Sequence, residues 1–182
     1  MRLTRFALAS ALIALTCAAL AQTPAAPMQQ ASAAMAKKVI APSTGLTLVI
    51  SGKSTTLTLA QIAALPHKTV TVYNLHEQKN EAYSGVSLAD ILTANGAPFE
   101  KTTQHDMLRS YVLAQGMDGY GVIYSTVEVY TPDYHTGDVI VADTLDGKLL
   151  DKDGLKLIST EDKHPMRWVH SLTKITLVQT GN

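Results

Sequence analysis

The feature that most constrains the fold is a succession of short apolar runs, each broken by a turn signal. "LTLVISG", "KTVTVYNL", "RSYVLAQ", "GYGVIYS", "DVIVAD", "LKLIST" and "KITLVQT" are too short for helices and rich in β-branched or aromatic residues, which predicts strands, and "EAYSGV" follows the turn after the second of them. "EQKN" and "LDGKLL" read as turns, and Met117-Asp118-Gly119 as the tip of a hairpin. Two helix signals interrupt the series. "TLAQIAALP" offers Thr58 and Gln61 as a capping box with Pro66 as its stop. "SLADILTANG" offers Ser87 as N-cap, Asp90 at the positive end of the helix, Leu88, Ile91 and Leu92 on one face, and Gly96 as terminator. Many strands against two short helices predict a sheet-rich, mixed α+β domain over residues 45 to 182.

The N-terminus carries a different kind of information. "MRLTRFALASALIALTCAALA" has two arginines, an apolar run and Ala19-Leu20-Ala21, the pattern of a signal peptide over residues 1 to 21 with Gln22 as the mature start. Lipidation at Cys17 is the competing outcome, but Ala14 and Thr16 are poor residues for it. Residues 22 to 44, rich in Ala, Gln, Pro and Ser, read as a flexible leader, and the protein is expected in the periplasm. Cleavage removes Arg2 and Arg5, leaving 13 basic against 15 acidic residues, a formal charge of −2. A balance of that sign gives no basic face for nucleic acid. It also removes the single cysteine, and with it any disulfide or thiolate ligand.

The remaining chemistry is sparse. The six histidines lack chelating spacing, since His164 and His170 on one strand would lie about 20 Å apart. No G-x-S-x-G elbow is present; Ser84-Gly85 sits in a strand-to-helix connection without a base beside it. Glu128 with Asp133, and Asp143 with Asp146, read as solvated charge in turns. The stretch "HPMRWVHSL" holds the only tryptophan, Trp168, next to Arg167. An indole platform and a planar guanidinium suit an aromatic heterocycle with carbonyl oxygens, while a core tryptophan beside a solvated arginine is the plainer alternative.

The order of the pieces adds a resemblance. "YSGVSLADILTANGA", "DGYGVIYSTVEV", "DVIVADTLDGKLL", "GLKLIST" and "MRWVHSLTKITL" together resemble the molybdopterin-binding domain of the sulfite oxidase family across residues 45 to 178, in its small, exported, single-domain form. Aligned on the last of these, Arg167 matches the family's arginine, and Val169, Leu172 and Ile175 its apolar positions. His170 stands where the oxidases carry lysine, and Ser171 where they carry tryptophan. The resemblance implies a pterin or molybdopterin-like ligand held by Arg167, Trp168 and His170, with Asp118 and Tyr120 of the "DGY" turn beside them. Molybdenum is not expected, because the family's thiolate is missing. It further implies a membrane-bound signalling or redox partner, as for the family's exported pterin-binding members. Two other readings stay open: a molybdopterin-dependent oxidoreductase or a subunit of one, and a ligand-free interaction module.

Overall fold

The computed structural model describes residues 39–99, 104–130 and 136–180. The expected signal peptide, Cys17 and most of the leader lie outside them, as do Asp133 and His135. The fold is α+β and sheet-rich, as the sequence predicts. Among the described residues it begins earlier than Gly45, however. Ser43 is buried, its N–H and hydroxyl both donate to the Asp153 carbonyl (2.9 and 2.8 Å), and its hydroxyl accepts from the Leu155 N–H (2.8 Å).

One sheet is built from β1 (Gly45–Ile50), β2 (Lys53–Thr58), β5 (Ser110–Gly116), β6 (Gly121–Ser125) and β10 (Leu172–Gln179), in the order β2-β1-β10-β5-β6. The last strand therefore lies in the middle, parallel to β1 and antiparallel to β5. A second sheet runs β3 (Lys68–Asn74), β4 (Lys79–Ser87), β7 (Val139–Leu145) and the two-residue β8 (Lys148–Leu149), with β9 (Lys156–Ser159) also paired to β7.

The alternation of β7 explains how these layers bury two cores. Val139 and Val141 face the larger core with Leu46, Leu48, Val112 and Ile175, while Ile140 and Ala142 face a smaller one with Val70, Val72, Tyr83, Ile158 and Trp168. A strand covered on both faces reads as an unbroken apolar run, which is why "VIVA" lacks polar interruptions. Gly85 sits at a register shift between β4 and β7, within a strand rather than in the connection expected from sequence. A Cβ placed there would meet the Val141 carbonyl oxygen at 2.2 Å and the Ala142 Cα at 2.4 Å.

Helix α1 (Leu59–Ala63) starts with the predicted capping box: Gln61 N–H donates to the Thr58 hydroxyl (3.2 Å), and the Gln61 side chain accepts from Thr58 N–H (2.8 Å). Helix α2 (Leu88–Ala94) buries Leu88, Ile91 and Leu92 as expected and ends before Gly96, whose φ of +89° suits glycine. Ser87 departs from expectation, because its side chain makes no capping hydrogen bond; β4 runs directly into the helix and leaves it the backbone only. Helices α3 (Gln104–Leu108) and α4 (Thr126–Tyr130), and strand β2, were not foreseen from sequence. Five residues are too few to show a helical period, and the largely exposed "KSTTLT" carries little apolar signal.

Candidate functional site

The segment 162–172 and the β5–β6 turn do meet. Tyr120 donates its hydroxyl hydrogen bond to the Met166 carbonyl, Met117 N–H donates to the Ser171 carbonyl (3.0 Å), and the Asp118 carboxylate accepts from Tyr120 N–H (2.9 Å). Asp118 is thereby tied to its own turn. A single 3-10 turn, Pro165–Arg167, precedes an extended Trp168, whose N–H donates to Pro165 O (3.2 Å).

Arg167 and Trp168 then part company. The guanidinium donates to Asp162 through Nε (3.1 Å) and Nη2 (2.5 Å) and to Glu128 through Nη1 (2.9 Å), and lies 4.6 Å over the Tyr124 ring. Hydrogen bonding to Asp162 holds its pKa above the usual guanidinium range. Nε, one Nη1 N–H and one Nη2 N–H thus engage two carboxylates, and the side chain stays about a third exposed. Glu128, expected as solvated charge, is one of those two partners. Trp168 is 4% exposed in the smaller core; its indole N–H donates to the Ser159 carbonyl (3.1 Å), and its ring meets Tyr83 edge-on at 5.8 Å. Packed in this way it offers no open platform. The stacking role is corrected to a core role, because the Tyr83 ring and the strand beneath it satisfy the indole first.

Behind Trp168 lies a cluster that the sequence reading missed. Lys156, on β9, is 6% exposed, with Nζ 5.0 Å from the Tyr83 ring centre and 5.1 Å from that of Trp168. It donates to the Tyr83 hydroxyl (3.1 Å), which donates in turn to Glu81 (2.8 Å). Glu81 is buried too and also accepts from Asn74 (2.9 Å), with Lys79 at 3.6 Å. Burial pushes the Lys156 ammonium down, only partly offset by Asp153 and Glu81. Burial likewise pushes the Tyr83 phenol up, so it stays protonated. The signal for Lys156 was a charge inside "LKLIS", a strand with all of its residues buried; for the other two it was the i, i+2 spacing of Glu81 and Tyr83 on one face of β4.

A cleft of about 520 Å³ opens onto this cluster. It is lined by buried Tyr83 and Lys156, by Leu145, Leu149 and Leu150, and by Asp146, Asp151, Asp153, Lys148 and Lys152. His170 stands apart, its Nδ1 on the Asp153 carboxylate (3.1 Å). Burial raises the Asp153 pKa, but His170, Lys156 and the Ser171 backbone N–H outweigh it and hold the carboxyl below its usual range.

Elsewhere His67 links to Asp143 on β7, Nε2 to Oδ2 at 3.0 Å, while Nδ1 engages the Leu65 carbonyl (2.7 Å). Burial lowers the imidazole, but the Asp143 and Leu65 hydrogen bonds prevail and raise it overall. Asp143, like Asp146, which accepts from Ala82 N–H (3.0 Å), is engaged in structure rather than simply solvated. The signs give a pH window. A depressed carboxyl such as Asp153 or Glu128 adds stability above its unfolded pKa of about 4, lost as pH falls below it. A raised His67 adds stability below about pH 6.5, lost as pH rises through its folded value. Burial of Lys156 acts in the opposite sense, adding stability as pH rises toward its unfolded pKa of about 10.4. His67→Gln is therefore expected to make the thermal midpoint rise more, or fall less, with pH above about 6.5 than in the unaltered protein, and an unchanged profile there would acquit His67.

No family model matches the sequence, and no curated protein matches it. Among solved structures the chain is similar to one in the crystal structure of the sulfane dehydrogenase SoxCD from Paracoccus pantotrophus, at 15% identity and a TM-score of 0.57. The match covers 75% of this chain and 38% of that one, so this chain spans well under half the neighbour's length. At that identity the likeness shows a shared fold.

Proposed function

We propose that the chain binds a flat, uncharged heterocycle of the pterin type in the cleft above Lys156, without thiolate-held metal chemistry. The observation that carries this is the composition of the cleft. Three aspartates and three lysines balance one another around an apolar wall, which disfavours a free anion and suits a ring bearing both donors and acceptors. An aminopyrimidine edge offers N–H groups to Asp153 or Asp146, and ring carbonyls accept from a lysine. The volume, about 520 Å³, fits a bicyclic molecule. A thiolate ligand for molybdenum is left out of the proposal because the single cysteine, Cys17, falls within the expected signal peptide of residues 1 to 21. The shared fold with a dehydrogenase chain favours a second reading, a subunit of an oxidoreductase. The proposal carries with it a periplasmic location, supported by the signal-peptide pattern of residues 1 to 21, and a membrane-bound signalling or redox partner, supported by the resemblance of residues 45 to 178.

Calorimetry with dihydropterins and with purines of similar size tests it. Saturable pterin binding with weaker purine binding is the expected result, and Asp153→Asn is expected to cut affinity at least about tenfold, a charge-assisted bond being worth ~1.5 kcal/mol or more. Melts without ligand establish that the variant folds. Absence of heat with any pterin at millimolar concentration would return the chain to the interaction-module reading.

A further inference from the structure

We propose that Lys156 is a reactive amine that captures small uncharged aldehydes as an imine within the cleft. The reading goes beyond non-covalent pterin binding and does not depend on it. Three features of the geometry converge on Lys156. Its side chain is buried yet lines an open cleft of about 520 Å³ together with Tyr83, Leu145, Leu149 and Leu150, so a small molecule in the cleft lies beside it on a partly apolar surface. Among the described residues its hydrogen-bond partner is one phenol, Tyr83, so the free amine, with one N–H donated there, keeps its lone pair to turn toward a carbonyl carbon. The same phenol already donates to Glu81, so a hydroxyl able to pass protons stands 3.1 Å from the nitrogen.

The rings of Tyr83 and Trp168 favour the charged form, as do Asp153 and Glu81, yet desolvation outweighs the two carboxylates and lowers the ammonium pKa. Desolvation thus works toward the free-amine form of Lys156, the form that attacks a carbonyl.

The step balances without a co-reactant. The neutral amine of Lys156 attacks the carbonyl carbon, a C–N bond forms, and a proton moves from nitrogen to oxygen to give the carbinolamine. The C–O bond then breaks, the oxygen leaves as water with one further proton, and nitrogen gives up its second proton to form C=N. Tyr83 is placed to relay these protons, which sum to zero, and the products are imine and water.

The experiment uses benzaldehyde with cyanoborohydride at neutral pH on the full chain as purified, followed by peptide mapping at several times. Lys156 is expected to be reduced to the benzylamine about tenfold faster than any exposed lysine, the advantage of an amine activated by desolvation. Lys156→Arg is expected to remove that fast phase alone. Labelling spread over the exposed lysines, with Lys156 no faster than they are, would overturn the proposal. That comparison is made on the unaltered protein and stands even where the variant fails to fold. Because benzaldehyde is not a pterin, slow labelling alongside intact pterin binding would sink this inference only, and fast labelling without pterin binding would sink only the other.

Discussion

Replacing Trp168 with Ala is expected to lower stability by ~3–5 kcal/mol, the range for emptying a large aromatic from a core. That corresponds to a fall of about 10–20 °C in thermal midpoint for a domain of this size. The indole is 4% exposed and closes the smaller core over Val70, Val72, Tyr83 and Ile158. Its removal opens a void, takes away the edge contact with Tyr83, and leaves the Ser159 carbonyl without its donor. It also strips Lys156 of one of its two aromatic faces. Differential scanning calorimetry of the variant reads the effect directly. A loss below about 1 kcal/mol, the size of an exposed substitution, would mean that the indole is not packed as described and would revive its role as a ligand platform. Trp168→Phe, which keeps bulk but loses the N–H, is expected to fall between the two.

The second large effect is expected at Gly85. An alanine there puts a methyl carbon 2.2 Å from the Val141 carbonyl oxygen and 2.4 Å from the Ala142 Cα, both backbone atoms of the neighbouring central strand. Neither can swing aside as a side chain would, so β4 and β7 must separate at the bulge that fixes their register. The cost is expected to exceed ~3 kcal/mol, the upper end of ordinary overpacking, and much of the variant is expected to be recovered unfolded. Gly121→Ala supplies the control, because a Cβ at that position meets nothing closer than 3.7 Å. Denaturant melts of the pair decide it: equal stabilities would show that β4 and β7 are not in the close approach described.

Much of the fold was legible because its signals are local. The Thr58–Gln61 box, Gly96 and the turn at Asp118-Gly119 each announce a backbone geometry through residues adjacent in sequence. "VIVA" announced a doubly covered strand by its unbroken apolar run. The site was legible only in part, for a physical reason. Sequence brought "DGY" and "HPMRWVHSL" to attention, and the Tyr120 to Met166 bond joins them. It could not say toward which layer each side chain turns. Arg167 ends a 3-10 turn and Trp168 is extended, so their side chains diverge, one toward Tyr124 and Glu128, the other toward Tyr83. Lys156, Glu81 and Tyr83 come from β9 and β4, which are not adjacent in the sheet, and only tertiary packing reveals that they meet.

The place of β10 governs the order in which the chain can assemble. Residues 172–179 form the partner that β1 and β5 share, so the larger sheet stays in two halves until they are available. Pairing Thr47 with Lys174 closes a loop that takes in most of the domain, which gives a high contact order. Folding is thus expected in the slow regime of milliseconds to seconds typical of such topologies. Until residues 172–179 are in place, the apolar faces of β1 and β5 have no shared strand between them, so the larger core closes only with that pairing.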